Sequence, residues 1–182
     1  MAKLLSGGMK YQGAFSRRSV LRSVQRARLV FLFKPLANEE KMVDVIKVKS
    51  GSIYEEKESY SRLVVVDNWI YVSNTAGRNY KTREMSTDPV EQAKQSLNNV
   101  EGALKSVGSR LEDVVMSTIY IPYVEDAPTV MAYIGERFRG IDPARTVLCS
   151  PLGNPEFKVE VEVTAFKGAG SAEVEHKVIT LG

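Results

Sequence analysis

The sequence predicts an α+β fold in which two helices cover one face of a mixed β-sheet. Short apolar or alternating segments, typical of strands, occur before, between and after two longer segments with helical periodicity. Each helical segment starts near an acidic N-cap residue and a proline, and each is followed by glycine. The resulting order, ββ(β)-α-β-α-ββ, is that of a two-layer sandwich.

The chain has 182 residues, a length that favours one domain with appended segments. A regular pattern of elements begins at Met42 and ends near residue 167. We therefore expect a basic N-terminal extension over 1–41, a folded domain over 42–167 and a C-terminal tail over 168–182.

The extension differs from the rest of the chain in charge. It has nine Lys or Arg against two Glu, a net charge of +7, whereas residues 42–182 have 16 basic and 20 acidic residues, a net charge of −4. Three interpretations stay open: a disordered or weakly helical extension, an organellar transit peptide or other targeting segment, or an upstream stretch before a true start at Met42. We leave 1–41 out of the fold prediction.

The first strands of the domain lie before the helices. Residues 43–48 alternate between apolar and polar side chains, and residues 60–66 are rich in β-branched side chains. Asp67 and Asn68 are typical turn residues, and residues 69–73 form another apolar segment. We therefore predict a strand followed by a hairpin with a two-residue turn.

The first helix has clear start and stop signals. Asp88 can act as N-cap, Pro89 suits the first helical position, and Glu91 occupies the capping-box position. Gly108 follows the last helical residues. Between them a single apolar stripe repeats at spacings of three and four; it consists of Val90, Ala93, Leu97, Val100, Leu104 and Val107.

The second half of the domain repeats this alternation. Residues 114–121 predict a strand, and residues 127–138 predict a helix with Asp126 as its cap. Residues 146–149 and 158–166 predict the last two strands, of which the second alternates strictly. Segments 60–73 and 114–121 carry apolar side chains on both faces. Since such a face needs a partner to bury it, we predict a homo-oligomer.

The composition argues against several classes of protein. A single cysteine, Cys149, excludes an internal disulfide and a cysteine-rich zinc site, and we expect its side chain to be small and buried. A single histidine, His176, argues against a Ser-His-Asp triad. No apolar run approaches the length of a membrane span. The expected location is cytoplasmic, or organellar if 1–41 is a transit peptide, and nucleic-acid binding is not expected because the basic segment lacks interleaved aromatics.

Two charged residues near the C-terminal end are the candidates for chemistry. Arg145 stands at the mouth of a predicted strand, and Glu160 lies on the polar face of the next one. An arginine offers a planar fork of donors that binds a carboxylate, and a glutamate can orient water or move its proton. The pair therefore suits hydrolysis of a small charged substrate.

These segments together resemble the Rid family, the reactive intermediate deaminases also called YjgF or RidA-like proteins and formerly endoribonuclease L-PSP. The resemblance covers residues 42–167. The residues that carry it are Ser73, Asp88-Pro89-Val90-Glu91-Gln92-Ala93, Leu97-Asn98-Asn99-Val100, Val107-Gly108, Leu111-Glu112-Asp113-Val114-Val115, Tyr120-Ile121, Pro143-Ala144-Arg145 and Val159-Glu160-Val161-Glu162.

The resemblance implies a chorismate-mutase-like fold and a homotrimer, in which three sheets form a central barrel with ligand clefts between subunits. It implies neither a cofactor nor a metal. It also implies that Arg145 binds the substrate carboxylate and that Glu160 positions the attacking water. The implied reaction converts imines and enamines such as 2-aminoacrylate or 2-iminobutanoate into 2-oxo acids and ammonia.

The expected substrate pocket departs from the family pattern. Asn74 follows Ser73 where the family often has glycine, Met131 aligns with an asparagine of the deaminases, and Val147 aligns with a cysteine. Tyr60 matches an aromatic near the cleft. We therefore expect Tyr60, Ser73, Asn74, Met131 and Val147 to contact substrate in a divergent branch of the family.

Two alternatives to the deaminase prediction stay open. The chain could be a non-catalytic binder of small carboxylate metabolites, in which Arg145 captures the ligand and Glu160 has no catalytic role. The family's older description suggests an endoribonuclease, although the sequence lacks the histidine pair or Lys-His arrangement that general acid-base cleavage of RNA uses.

Overall fold

The computed structural model describes residues 42–182 and confirms the α+β prediction. The predicted extension over 1–41 lies outside the described residues. The strands are β1 (Val45–Val48), β2 (Leu63–Val66), β3 (Trp69–Ala76), β4 (Val114–Tyr120), β5 (Ala144–Leu148) and β6 (Glu160–Phe166). The α-helices are α1 (Ile53–Lys57), α2 (Pro89–Ser106) and α3 (Ala127–Arg137), with single 3₁₀ turns at Leu111–Asp113, Val124–Asp126 and Ala169–Ser171.

The six strands form one mixed sheet in the order β1-β2-β3-β6-β4-β5. All neighbouring pairs are antiparallel except β4 and β5, which run parallel because α3 lies between them in the chain. Strands β2 and β3 form the predicted hairpin, in which Val66 pairs with Trp69 across a two-residue turn. Asp67 in that turn has a φ of 52°, a left-handed conformation that Asp tolerates.

The core lies between one face of the sheet and the helices α2 and α3. Helix α2 begins as predicted, since the Asp88 side chain accepts a hydrogen bond from the backbone N–H of Glu91. Its apolar stripe packs against inward-facing residues of β2, β3, β4 and β6. The fully buried residues of this core include Leu63, Ile70, Leu97, Val100, Leu104, Ile119, Ile134, Val161 and Ala165.

Several predicted boundaries were wrong. The structure adds the short helix α1, which is too short to show a periodic pattern in the sequence. It extends β3 to Ala76, three residues beyond the predicted end. Asp126 makes no side-chain capping bond to α3, because it is already part of the preceding 3₁₀ turn. Strand β5 starts at Ala144, so Arg145 lies inside the strand rather than at its mouth.

Helices α2 and α3 both pack on the core face of the sheet, so neither covers the other face. Trp69 and Tyr71 on this face remain about half exposed, and a T-shaped contact joins Trp69 to Phe166. A shallow cavity of ≈ 390 Å³ lies over the middle of this face, and its lining includes Tyr71, Ser73, Met116, Thr118 and Glu162. We call this surface the open face.

Candidate active site

Glu160 lies at the sheet end where β6 begins, between Ala76 of β3 and Tyr120 of β4. Its side chain alternates with buried Val159 and Val161 and therefore points to the open face, where it is half-buried. Burial raises the pKa of the Glu160 carboxyl, although the charge of Arg62 and a hydrogen bond from Asn74 oppose this effect. A carboxylate with a raised pKa is suited to accept a proton.

Asn74 reaches Glu160 because β3 contains an irregularity. The register of β3 against β6 shifts between Val72 and Thr75, so β3 has one more residue than β6 over this stretch. Such a bulge redirects a side chain, and here the Asn74 Nδ2 donates a hydrogen bond of 2.8 Å to Glu160 Oε2. The Asn74 Oδ1 is buried, and it accepts no hydrogen bond from the described residues.

Arg62, just before β2, bonds β3 and acts on the Glu160 carboxyl, and it was not among the residues predicted from the sequence. Its side chain is 7% exposed and its Nε lies 3.3 Å from Oε1 of Glu55, which is fully buried. The Arg62 Nη1 donates to the backbone oxygen of Asn74 at 3.1 Å and to Thr75 Oγ1 at 3.0 Å. The sequence gives no local signal for Arg62, because a charged residue next to a strand is usually exposed.

Glu55 also accepts hydrogen bonds from Ser50, five residues before it in the chain. Its two carboxylate oxygens accept hydrogen bonds from the backbone N–H and the hydroxyl of Ser50, at 2.8 and 2.7 Å. Burial alone would raise the pKa of Glu55, but the Ser50 hydrogen bonds and the Arg62 charge lower it below its ordinary value. The ion pair is therefore fully charged at neutral pH.

Two tyrosines flank the Arg62 guanidinium. Its Cζ lies 5.8 Å from the ring centre of Tyr60 and 5.9 Å from that of Tyr80. Burial raises the pKa of the Tyr80 hydroxyl, and Glu160 is among the charges that act on it. Tyr60 and Tyr80 therefore both lie beside Arg62, and Tyr80 was not among the residues predicted from the sequence.

Ser73 occupies a structural position at the edge of this region. Its hydroxyl donates a hydrogen bond of 2.7 Å to the backbone oxygen of Ser61, and its backbone N–H bonds the oxygen of Arg62. Ser73 also lines the cavity on the open face. The structure therefore places it beside the predicted pocket while its hydroxyl is engaged in holding the hairpin.

Buried polar side chains of α2 hold the chain segments that carry these groups. Gln92 donates to the backbone oxygens of Ser86 and Glu156, and its Oε1 accepts from the N–H of Lys158, two residues before Glu160. Ser96 donates to the oxygen of Thr75. Gly77 lies so close to Gln92 that an added Cβ would stand 2.3 Å from its backbone oxygen, so this contact requires glycine.

Arg145 lies in a different environment. It pairs in register with buried Ser117 of β4, and its Nε makes a long hydrogen bond of 3.4 Å to the Ser117 hydroxyl. Its Cζ lies 5.3 Å from the ring centre of Phe138, which follows α3. Arg145 is therefore on the helix-covered face of the sheet. Val147, two residues further on, shares this face and is 42% exposed.

Met131 also lies on the helix-covered side of the sheet. It is half-buried and packs against the core from α3, two helical turns before Phe138.

The two predicted catalytic residues are thus not brought together within one chain. Across the strands β6, β4 and β5, Glu160 is level with Tyr120 and Leu148, whereas Arg145 is level with Ser117 and Val163. The two levels are three residues apart along the strands. The two residues are separated by two strand spacings and by three residues along the strands, about 10 Å in each direction. They also point to opposite faces.

We call the group around Glu160 the glutamate half-site; it consists of Tyr60, Arg62, Asn74, Tyr80 and Glu160. We call the group around Arg145 the arginine half-site; it consists of Ser117, Met131, Phe138, Arg145 and Val147.

Within residues 42–182, the structure contains no group of three or more His, Cys, Asp or Glu side chains that could hold a metal ion. No helix of the described chain is both long and apolar enough to cross a membrane. Cys149 is exposed, so the expectation that it is buried was wrong; it follows the last residue of the edge strand β5, where no element covers it.

Comparison with known proteins shows to which family the chain belongs. Residues 52–167 match the family model described as Endoribonuclease L-PSP. The chain belongs to the Rid family. Curated relatives include proteins named 2-iminobutanoate/2-iminopropanoate deaminase. The one from Dermatophagoides farinae is 32% identical over 57% of this chain and 81% of its own length, and the one from Escherichia coli is 30% identical over 59% and 87%.

Solved structures of Rid proteins share the fold. A YjgF-family member from Mycobacterium tuberculosis is 28% identical with a TM-score of 0.62, and the match covers 68% of this chain and 99% of that one. The YjgF gene product of Escherichia coli is 31% identical with a TM-score of 0.55, over 59% and 87% of the two chains. The α+β fold and family membership expected from the motifs are thereby confirmed.

Proposed function

We propose that this Rid protein hydrolyses small imines and enamines that carry a carboxylate, such as 2-iminobutanoate and 2-aminoacrylate, to 2-oxo acids and ammonia. The observation that carries the proposal is the half-buried Glu160 carboxylate, with its raised pKa and its hydrogen bond from Asn74. The names of the deaminase relatives from Dermatophagoides farinae and Escherichia coli support the same reaction class.

The active site is completed by a second copy of the chain. Glu160 and Arg145 point to opposite faces of one sheet, so a single chain cannot offer both to a small substrate. The open face has no covering layer in the described residues, and it carries the half-exposed rings of Trp69 and Tyr71. We propose a homotrimer in which the arginine half-site of one subunit faces the glutamate half-site of its neighbour.

The arginine half-site binds the substrate, and the glutamate half-site transfers the protons. An enamine such as 2-aminoacrylate reacts as its imine tautomer, which forms in water when C3 gains a proton and the nitrogen loses one. Arg145 binds the substrate carboxylate with its guanidinium fork and fixes the imine carbon near Glu160. The Glu160 carboxylate takes a proton from water while the water oxygen forms a bond to the imine carbon, and the C=N π electrons move to nitrogen. Glu160 then returns the proton to that nitrogen, giving a neutral carbinolamine. As the C–N bond breaks, Glu160 passes the hydroxyl proton to the departing nitrogen and ammonia leaves.

The test is release of 2-oxo acid from 2-aminoacrylate and 2-iminobutanoate that are generated in the assay by a dehydratase or an amino-acid oxidase. Wild type, Arg145→Ala and Glu160→Ala are compared with Arg137→Ala, a matched control that removes an arginine paired with Glu101 of α2. We expect wild type and the control to accelerate release, and both active-site variants to lose the acceleration.

Two other outcomes have defined meanings. If folded wild type does not accelerate release yet binds 2-oxobutanoate in an Arg145-dependent manner, the protein is a binder of small carboxylates, and the deaminase proposal is wrong. Substitution of the family's usual pocket residues by Met131 and Val147 is the observation that favours this second candidate. If RNA is cleaved and the cleavage depends on Glu160, the older endoribonuclease description would apply instead.

A further inference from the structure

Glu160 is oriented by a chain of contacts that begins at a buried ion pair. Glu55 holds Arg62, Arg62 Nη1 donates to the backbone oxygen of Asn74 and to the Thr75 hydroxyl, and Asn74 Nδ2 donates to Glu160. Apart from Glu55, the acceptors of Arg62 lie on β3: the backbone oxygen of Asn74, within the register shift between Val72 and Thr75, and the hydroxyl of Thr75 at its end. The guanidinium thus bonds the bulge itself rather than the regular part of the strand.

Uncharged hydroxyl groups also make hydrogen bonds at the bulge. Thr75 donates to the oxygen of Ser73 within the same strand, and Ser96 of α2 bonds the oxygen of Thr75 from the opposite side. Without the guanidinium, the backbone oxygen of Asn74 would lose its charged donor in a half-buried position. A backbone shift there would move the Asn74 amide away from Glu160.

We propose that the Glu55–Arg62 ion pair is a positioning device for the reaction: Arg62 fixes the β3 bulge so that Asn74 holds the Glu160 carboxylate in the orientation that activates water. Arg62 is a positioning residue because it acts through Asn74. This inference deepens the proposed function and rests on it for its catalytic meaning, but the geometric claim can be tested without turnover.

Other groups near Glu160 do not replace this role. Tyr80, from the loop after β3, and Tyr120 of β4 both lie within electrostatic range of Glu160, and their burial raises their pKa values. Both hydroxyls are therefore neutral at neutral pH. Glu162, also on the open face, acts on Tyr120. Arg62 is thus the cation among the groups that act on the Glu160 carboxyl.

The experiment compares Arg62→Lys with wild type and with Arg137→Lys, which makes the same change in the partly buried pair with Glu101. Lysine retains the charge opposite Glu55, but it has one nitrogen, whereas Arg62 bonds Glu55 through Nε and the two β3 acceptors through Nη1. The first readout is the side-chain amide resonance of Asn74 in a ¹⁵N NMR spectrum, identified by its loss in Asn74→Ala and followed through the titration of Glu160. The second is kcat and KM for 2-iminobutanoate hydrolysis.

In Arg62→Lys we expect the Asn74 amide resonance to move towards that of a free amide and to lose its dependence on Glu160 ionisation. We expect kcat to fall by about tenfold to a hundredfold, with KM changed less, as for a misplaced catalytic group. Arg137→Lys should change neither readout. Should Arg62→Lys fail to fold, Thr75→Val removes one of the two acceptors and is expected to move the Asn74 resonance in the same direction.

An unchanged Asn74 resonance together with unchanged kcat in a folded Arg62→Lys protein, or in Thr75→Val if that variant is needed, would overturn the inference. If wild type hydrolyses no imine but the resonance moves as expected, the proposed function is wrong while the positioning of Asn74 by Arg62 stands. The two failures are therefore distinguishable.

Discussion

The glutamate and arginine half-sites differ in how much of their order comes from a single chain. Glu160 accepts a hydrogen bond from Asn74, the backbone oxygen of Asn74 accepts one from Arg62 of a buried ion pair, and Ser96 of α2 bonds the adjacent Thr75. Arg145 has one long hydrogen bond to Ser117 and the ring of Phe138, and it lies in an edge strand whose other residues are largely exposed. The first half-site is preorganised by its own fold, whereas the second has capacity left for a ligand and a neighbour.

Substitutions in the glutamate half-site, in its buried ion pair and in the arginine half-site should therefore affect catalysis, stability and substrate binding, respectively. A group that is fixed by many contacts can orient a reacting water, because its orientation costs nothing further when the substrate arrives. A group with free donors can bind a charged ligand, because its hydrogen-bonding capacity is not used in the unliganded protein.

The largest effect is expected at the centre of the glutamate half-site. Glu160→Gln keeps the shape of the side chain and can still accept from Asn74, but it cannot take a proton from water. We expect kcat/KM for imine hydrolysis to fall by about 10²- to 10⁴-fold, with KM little changed. Steady-state kinetics would show this, and a loss confined to KM would instead assign Glu160 to substrate binding.

The next effect concerns stability rather than activity. Glu55→Gln leaves the Arg62 charge buried without its counter-ion, so we expect the free energy of unfolding to fall by about 3–5 kcal/mol. The control Glu101→Gln breaks the more exposed pair with Arg137 and is expected to cost at most about 1 kcal/mol. Denaturant unfolding measures both, and equal losses in the two variants would show that the buried pair is not special.

A substitution in the arginine half-site should weaken substrate binding. Arg145→Lys retains the positive charge but removes the planar fork, so we expect KM to rise by about 10- to 100-fold because a two-point contact with the carboxylate is lost. The change in kcat and in the free energy of unfolding should be small. A tenfold loss of kcat at unchanged KM would contradict the assignment of Arg145 to carboxylate binding.

The smallest effect is a dependence of stability on pH. Because burial raises the pKa of Glu160 in the folded protein above its unfolded value, the folded state binds this proton more tightly. The contribution of Glu160 to the free energy of unfolding is therefore most favourable below the unfolded pKa and is lost as pH rises through the folded pKa. Glu160→Gln removes this loss, so its melting temperature relative to wild type should be higher at about pH 8 than at about pH 4. A relative melting temperature that falls with rising pH would contradict the raised pKa.

Most of the fold follows from local patterns in the sequence. The α2 cap at Asp88, the hairpin turn at Asp67 and the alternation of β6 are all local signals, and the structure contains each of them. The missed helix α1 is too short for periodicity to indicate it, and Asp126 failed as a cap because a 3₁₀ turn, which has no strong sequence signal, precedes α3.

The candidate site was less predictable, because its geometry depends on contacts between distant parts of the chain. The sequence placed two catalytic and five substrate-binding residues in one pocket. Within one chain, Asn74 contacts Glu160, whereas Arg145, Met131 and Val147 lie on the helix-covered side of the sheet. The sequence did not indicate Arg62 or Glu55, since a buried ion pair looks like two surface charges until the fold is known. Nor did it show that Arg145 and Glu160 face opposite sides, which requires the register of three strands.

The central claim is that an active site needs the arginine half-site of one subunit and the glutamate half-site of another. The most direct test mixes two inactive variants, Arg145→Ala and Glu160→Ala, by co-refolding them in equal amounts, and measures imine hydrolysis. If sites form between subunits, random mixing should restore about a quarter of the wild-type activity, since a quarter of the neighbouring pairs would have both residues intact. Activity that stays at the level of the separate variants, in a preparation shown to contain mixed oligomers, would contradict the account.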